Sequence, residues 1–176
     1  MGSERRQMFK IGLIGCGSVA TQGHLPAIRE VDGLQLHAIY DPDETALHRV
    51  GEQFEVPVRC HVMDDFLESG IDAVVVTSPA TAHKDNVLDA ARRGLPILCE
   101  KPLALNAEDG WEMIRAASER QIPLYTAFCY RFSPVAMQIR ELLERRAIGT
   151  PRSLRLIYNW DLHGKYRKPI CGTPEI

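Results

Sequence analysis

The stretch Ile11-Gly12-Leu13-Ile14-Gly15-Cys16-Gly17-Ser18-Val19-Ala20 decides the fold of this chain. It predicts a short apolar strand, a G-x-G-x-x-A turn and the first turn of a helix. In such a turn Gly15 permits the tight bend, Gly17 lets backbone amides approach a pyrophosphate, and Ala20 allows close helix–sheet packing. The helix N-terminus adds unpaired N–H groups and the positive end of a dipole, which favour an anion. The stretch therefore predicts a dinucleotide site; a glycine-rich turn without a ligand is the alternative.

The residues that would contact the cofactor through this turn are Gly15, Cys16, Gly17, Ser18, Val19 and Ala20. An acidic residue, Asp41, closes the second predicted strand twenty-one positions after Ala20, about where a carboxylate meets the adenosine ribose hydroxyls. The residues after it, 42–45, contain no cation for a 2′-phosphate. NAD is therefore favoured over NADP. Asp41 could also be a plain helix N-cap, a role that does not exclude the ribose contact.

Short apolar runs alternate with amphipathic stretches along most of the chain. The strands are predicted at Phe9–Ile14, Gln35–Tyr40, Val58–Cys60, Asp72–Val76, Pro96–Cys99 and Pro123–Phe128. The helices are predicted at Val19–Val31, Asp43–Phe54, Asp64–Glu68, His83–Arg93 and Glu108–Arg120. Alternation at this spacing is typical of a parallel sheet with helices on both faces. We therefore expect an α/β, Rossmann-type doubly wound parallel sheet.

The last fifty residues have a different pattern. A helix is predicted from the spacing of its apolar residues, Val135, Ile139, Leu142 and Leu143. Strict alternation over Ser153–Leu162 then predicts a half-buried strand. The predicted domains are a disordered tail at 1–7, an NAD-binding Rossmann domain at 8–132, and a linker helix with the first strand of a second α/β domain at 133–176. Because the sheet that strand would join is absent, we expect the strand either to fold back on its own domain or to pair with a second copy, and we favour a homodimer through 153–162.

Composition excludes several function classes. The chain has 176 residues, 45% of them hydrophobic and 25% charged, with a net charge of −2, so no basic excess argues for a nucleic-acid partner. The longest aliphatic runs are far shorter than the roughly 20 residues of a membrane span, which argues against a membrane protein. The five cysteines lie at least 30 residues apart and form no C-x-x-C pair, so neither a metal site nor a disulfide framework is expected. A cytoplasmic location is the expectation.

Two further predicted strands end in polar residues. The fourth strand leads into Thr77, Ser78 and Pro79, with His83 shortly after them, and the fifth leads into Glu100-Lys101-Pro102. Ligands of open α/β sheets bind beyond the carboxyl ends of the strands. We therefore expect these residues to converge with the glycine-rich turn at one edge of the sheet.

With these motifs in place, residues 8–160 resemble the N-terminal half of a Gfo/Idh/MocA-family oxidoreductase, the group of glucose–fructose oxidoreductase and inositol 2-dehydrogenase. The most specific parts are Gly15–Ala20 and Glu100–Pro102. The resemblance places Lys101 beside the nicotinamide and the hydroxyl being oxidised, as the catalytic residue, and makes Pro102 a candidate cis-proline. It assigns cofactor contacts to Thr77, Ser78, Pro79, His83, Glu100, Lys101 and Arg131.

The resemblance implies NAD-dependent oxidation of a sugar or cyclitol, with hydride passing from a ring carbinol to nicotinamide. In the family, an Asp and a His four residues apart in a second domain complete the acid–base set. Here Asp161 and His163 have the wrong spacing, and the chain is expected to be a truncated form. A non-catalytic NAD-binding sensor or regulatory module, or an inert remnant, remains an alternative.

Each assigned residue also has a purely structural reading. Lys101 could be a solvated lysine, His83 could pack at the start of its helix, and Arg131 could pair with a surface carboxylate. His24 is expected to pack rather than catalyse, and Trp111 is expected in the core.

Overall fold

The computed structural model describes residues 8–157. Six strands form one parallel sheet: β1 (Phe9–Ile14), β2 (Leu34–Tyr40), β3 (Val58–Cys60), β4 (Ala73–Val76), β5 (Ile97–Cys99) and β6 (Leu124–Thr126). Their order across the sheet is β3-β2-β1-β4-β5-β6. The chain thus runs outward from β1 to one edge and returns to the other side of β1 at β4. This arrangement confirms the predicted Rossmann-type fold.

Among the described residues, five α-helices alternate with the strands: α1 (Leu25–Glu30), α2 (Glu44–Gln53), α3 (Met63–Leu67), α4 (His83–Arg92) and α5 (Ala107–Glu119). A sixth, α6 (Pro134–Glu144), follows β6 along the chain. A π-helical segment, Ala20–His24, leads into α1, so the single helix predicted over Val19–Val31 has two parts. Pro26 lies at the start of α1, where it cannot donate the backbone hydrogen bond of a continuous α-helix.

Two apolar layers pack on opposite faces of the sheet. Successive strand residues point to opposite faces, so Leu13 joins the layer beneath α1 and α2 while Ile14 joins the layer beneath α3, α4 and α5. Phe66 of α3 and Met113 of α5 are fully buried in the second layer. These layers hold the carboxyl ends of β1, β2 and β4 in fixed positions.

The predicted burial of Trp111 is wrong, because 66% of the residue is exposed. Helix α5 turns Met113 and Ala117, four positions apart, toward the sheet. Trp111 therefore lies on the outer side of the helix together with the exposed Ile114. The helix begins at Ala107, one residue before its predicted start at Glu108, and Asn106 caps it by accepting a hydrogen bond from the Asp109 amide at 2.9 Å.

The chain divides into two compact units, one ending at Ala127 and the other beginning at Phe128. The predicted boundary after Phe132 lies slightly later than this division. The second unit contains a 3₁₀ helix, Cys129–Phe132, and the predicted helix α6, which Ser133 caps by accepting from the Ala136 amide at 3.3 Å.

The strand predicted over Ser153–Leu162 is not formed in residues 153–157, which are exposed and have no regular secondary structure. The other described residues of this unit are helices and turns, so no neighbouring strand of the unit offers backbone partners there. Residues 158–162, like the predicted N-terminal tail, lie outside the described residues.

Candidate functional site

A cleft of about 630 Å³ lies at the carboxyl ends of β1, β2 and β4. It is at the point where the strand order reverses, which is where open α/β sheets bind their ligands. Its wall contains nine of the residues predicted to bind the cofactor: Gly15, Cys16, Gly17, Ser18, Val19, Asp41, Thr77, Ser78 and Pro79. The structure therefore brings together residues from three separate loops. Ala20 is fully buried next to the turn and is not part of the wall.

The two glycines of the turn have different surroundings. Gly15 has a φ of +97°, and a Cβ atom there would lie 2.6 Å from the backbone nitrogen of Ser78. Only glycine fits this position without strain. At Gly17, by contrast, a Cβ atom would meet nothing within 4 Å. The first glycine lets two loops approach each other, and the second leaves the surface of the turn open toward the cleft.

Thr77 links the loop after β4 to the loop after β1 by hydrogen bonds. Its buried hydroxyl lies 3.0 Å from the carbonyl oxygen of Ile14 and 2.7 Å from that of Gly15, so its one proton is shared between them. On the other side, the Asn86 side chain donates to the Ser78 hydroxyl at 2.7 Å. These bonds fix the spacing of two walls of the cleft.

Asp41 binds two backbone amides, one in the turn after β1 and one just before α2. One carboxylate oxygen accepts from the amide of Cys16 at 2.7 Å, and the other accepts from the amide of Asp43 at 2.9 Å. The reading of Asp41 as the N-cap of α2 is wrong. Asp43 directly precedes that helix and caps it by accepting from the amides of Thr45 and Ala46. Each Asp41 oxygen retains acceptor capacity for a hydroxyl in the cleft.

Arg49 is a cleft residue that the sequence reasoning missed. It lines the wall near Asp41, and its Nη2 donates to the carbonyl oxygen of Cys16 at 3.2 Å. Residues 42–45, which contain no cation, end within the first turn of α2, and Arg49 lies one turn further along this helix. Helical spacing was the available signal, since Ala46 and Arg49 are three residues apart and share one face of the helix.

Cys16 is a packing residue rather than a nucleophile. Its side chain is buried, which raises the pKa of the thiol to about 12. The negative charge of Asp41 contributes to this increase in the pKa, and the positive charge of Arg49 partly offsets it. The thiol is therefore protonated at neutral pH.

Lys101 lies in the loop after β5 and is exposed. Its backbone amide donates to one oxygen of Glu100 at 2.9 Å, and the other oxygen accepts from His24 Nε2, also at 2.9 Å. The Lys101–Pro102 peptide bond is cis, as predicted. Glu100 and Lys101 follow the strand next to β4 at the same edge of the sheet, but neither belongs to the cleft wall.

His83 connects the loops after β4 and β5. The residue is 1% exposed; Nδ1 lies 2.8 Å from the carbonyl oxygen of Pro102, and Nε2 lies 2.9 Å from that of Ser78. Carbonyl oxygens only accept, so the neutral ring donates one of these bonds and the imidazolium donates both. His83 thus lies behind the cleft wall, as its structural reading expected. Arg131 is in the second unit, and its cofactor contact stays a prediction.

Among residues 8–157, no three His, Cys, Asp or Glu side chains cluster as metal ligands. In the same part of the chain, no helix is both long and apolar enough to span a membrane.

Comparison with known proteins agrees with this geometry. The Gfo/Idh/MocA family model, which describes an oxidoreductase family with an NAD-binding Rossmann fold, matches residues 9–128. The chain belongs to this family. The matched residues contain the whole six-stranded sheet and the cleft, so the chain has the family's NAD-binding domain.

Two curated relatives and one solved structure illustrate the similarity. Myo-inositol 2-dehydrogenase of Thermotoga maritima is 32% identical over 149 residues, covering 84% of this chain and 44% of that protein. D-apiose dehydrogenase of Paraburkholderia graminis is 32% identical over 144 residues, covering 81% and 38%. The crystal structure of an oxidoreductase from Agrobacterium radiobacter, in complex with NAD+, L-tartaric acid and magnesium, has a TM-score of 0.77 and 31% identity, covering 81% of this chain and 42% of that one. The chain thus spans less than half the length of the proteins it matches.

Proposed function

We propose that this chain is the NAD-binding portion of a dehydrogenase that oxidises a ring hydroxyl of a sugar or cyclitol. The observation that carries the proposal is the cleft at the strand-order reversal, where the open turn at Gly17 faces the same space as the carboxylate of Asp41. The substrate class is supported by the two curated relatives, one named for a cyclitol and the other for a sugar.

The residues present fit a dinucleotide. The space at Gly17 leaves room for a pyrophosphate against the backbone of the turn, which a side chain would fill. The free acceptor capacity of Asp41 suits the two ribose hydroxyls. Gly17 and Asp41 both line the cleft, so one extended ligand could contact both.

NAD supplies the hydride acceptor when it is bound. Lys101 would hold or remove the proton of the substrate hydroxyl, as the family resemblance implies. Glu100 supports this role because it fixes the Lys101 amide from one side, while His83 holds the next residue, Pro102, from the other. A loop held at both ends would keep Lys101 in place while its side chain meets the substrate.

Calorimetric titration of the 176-residue chain with NAD and with NADP tests the cofactor assignment. We expect saturable NAD binding and much weaker NADP binding, because a 2′-phosphate meets the Asp41 carboxylate. Asp41→Asn should lower the affinity for NAD and reduce the difference in affinity between NAD and NADP. Asp89→Asn, which removes a half-buried carboxylate of α4 that pairs with Arg92 outside the cleft, is the matched control and should change neither affinity. Equal affinities of the wild type for NAD and NADP would defeat the assignment.

NADH absorbance in the presence of myo-inositol or D-apiose tests the chemistry. For this chain alone we expect NAD binding with negligible turnover, because Lys101 is the one acid–base group that the resemblance assigns to it. Robust NADH formation that disappears in Lys101→Ala would contradict this expectation and would require a second catalytic group within these 176 residues.

A further inference from the structure

Two side chains of opposite charge, Asp41 and Arg49, bond the backbone of Cys16 in the cleft. The Asp41 carboxylate accepts from the Cys16 amide at 2.7 Å, and the Arg49 guanidinium donates to the Cys16 carbonyl at 3.2 Å. Both side chains belong to the cleft wall. Both also act on the same thiol, whose pKa Asp41 raises and Arg49 lowers. Whatever lies at this end of the cleft therefore meets both charges.

Arg49 has unused hydrogen-bonding capacity. A guanidinium has five N–H donors, and the Cys16 carbonyl occupies one of them. Within residues 8–157, no other partner of Arg49 is formed. The planar fork of the remaining donors matches a phosphate, which it can bind with two parallel hydrogen bonds.

These charges have opposite effects on the two dinucleotides. The carboxylate accepts from a free 2′-hydroxyl and repels a 2′-phosphate, whereas an arginine beside it attracts the phosphate. We propose that Arg49 is a specificity-determining residue that draws an adenosine 2′-phosphate into this cleft, so that the preference for NAD depends on Asp41 alone. This inference rests on the proposed NAD-binding function.

Neutralising Asp41 should therefore increase the affinity of the cleft for NADP. In Asp41→Asn we expect NADP to bind about 10- to 100-fold more tightly than it binds the wild type, the range of a charge-assisted phosphate contact once repulsion is removed. In the double variant Asp41→Asn/Arg49→Met this gain should disappear. Arg49→Lys should retain part of it, because lysine keeps the charge and loses the fork.

The titrations would use NAD, NADP, AMP and adenosine 2′,5′-bisphosphate with the 176-residue chain. The two adenosine compounds isolate the 2′-phosphate from the nicotinamide half. Arg140→Met removes an equal charge from α6, where Arg140 pairs with Glu144 at 2.8 Å, and should leave the ratio of NADP to NAD dissociation constants unchanged. Thermal unfolding of every variant shows that it is folded. Arg49→Met in the otherwise natural chain gives a second test that needs no change at Asp41, since it should raise that ratio.

The inference would be overturned by an Arg49→Met chain whose ratio of NADP to NAD dissociation constants equals that of the wild type. It would also be overturned if the gain in NADP affinity of Asp41→Asn persisted in the double variant. In either case, normal NAD binding would leave the proposed function standing. A wild-type chain that binds neither dinucleotide would overturn both. A steeper loss of NADP than of NAD binding with added salt in Asp41→Asn would support the phosphate–guanidinium contact.

Discussion

Replacing Gly15 or Gly17 by alanine should separate the architecture of the turn from its ligand contact. At Gly15 the added methyl group would lie 2.6 Å from Ser78 N, 2.7 Å from Ser78 Cα and 2.9 Å from the Thr77 carbonyl carbon. All three are backbone atoms, so no side chain can rotate away. At Gly17 the same methyl group would meet no atom of the chain within 4 Å.

The magnitude for Gly15→Ala follows from two terms. Placing a residue with a Cβ atom at a φ of +97° costs roughly 1–2 kcal/mol, and forcing a methyl group into a packed contact costs roughly 1–3 kcal/mol. The free energy of unfolding should therefore fall by about 2–5 kcal/mol, which lowers Tm by roughly 5–15 °C for a chain of this size. Gly17→Ala should change the stability by less than about 1 kcal/mol. Gly17→Ala should nevertheless lower the affinity for NAD about tenfold or more, because the added methyl group would occupy the space proposed for the pyrophosphate.

Thermal unfolding and calorimetric titration of both variants give the measurement. Gly23→Ala is the matched control, because a Cβ atom at Gly23 also meets nothing within 4 Å but the residue lies outside the cleft wall. It should leave NAD affinity unchanged. A Gly15→Ala chain as stable as the wild type would refute the packing argument, and a Gly17→Ala chain that binds NAD as Gly23→Ala does would refute the pyrophosphate assignment.

Two further predictions concern buried groups near the cleft. His83→Phe should lower the free energy of unfolding by about 1–3 kcal/mol for each carbonyl left unsatisfied. His83→Gln should recover part of this loss, because its side-chain amide can restore one hydrogen bond. Thermal unfolding measures both variants, and a His83→Phe chain as stable as the wild type would contradict the role of the ring nitrogens. Iodoacetamide at mildly alkaline pH should alkylate the exposed Cys129 and spare the buried Cys16, as read by mass spectrometry of tryptic peptides. Modification of Cys16 in the folded chain at the rate of Cys129 would show that the turn opens.

The sheet and the glycine-rich turn could be predicted because both depend on neighbouring residues. The strands β1 and β3 have the bounds that their apolar runs predicted, and Gly15 has the positive φ that its tight turn requires. Position in a parallel sheet then brings Thr77 to the turn, since β1 and β4 are adjacent. The order of the strands was thus enough to locate the cleft.

Other features depend on contacts that no local pattern contains. His83 bonds the carbonyl of Pro102, nineteen residues away, and only the packing of α4 against the loop after β5 creates that contact. Arg49 reaches the turn because the buried Leu47 and Val50 pack α2 against the core and so set its orientation. Trp111 was misplaced because an amphipathic pattern gives the apolar positions of a helix but does not say which of them the sheet covers.

The hydrogen bonds of the site have a consequence for interpreting variants of its residues. Thr77, His83 and Glu100 were assigned to the cofactor by resemblance, yet each bonds the backbone of a loop that carries another candidate residue. Loss of NAD affinity on replacing any of them is therefore not evidence of a contact with the cofactor. A residue that acts through a loop should be rescued by a side chain that restores its backbone bond, whereas a residue that touches the ligand should be rescued only by one that restores the contact. Asp41 has both properties, because it holds the Cys16 amide and faces the cleft, so its asparagine and alanine variants must be compared before either role is assigned.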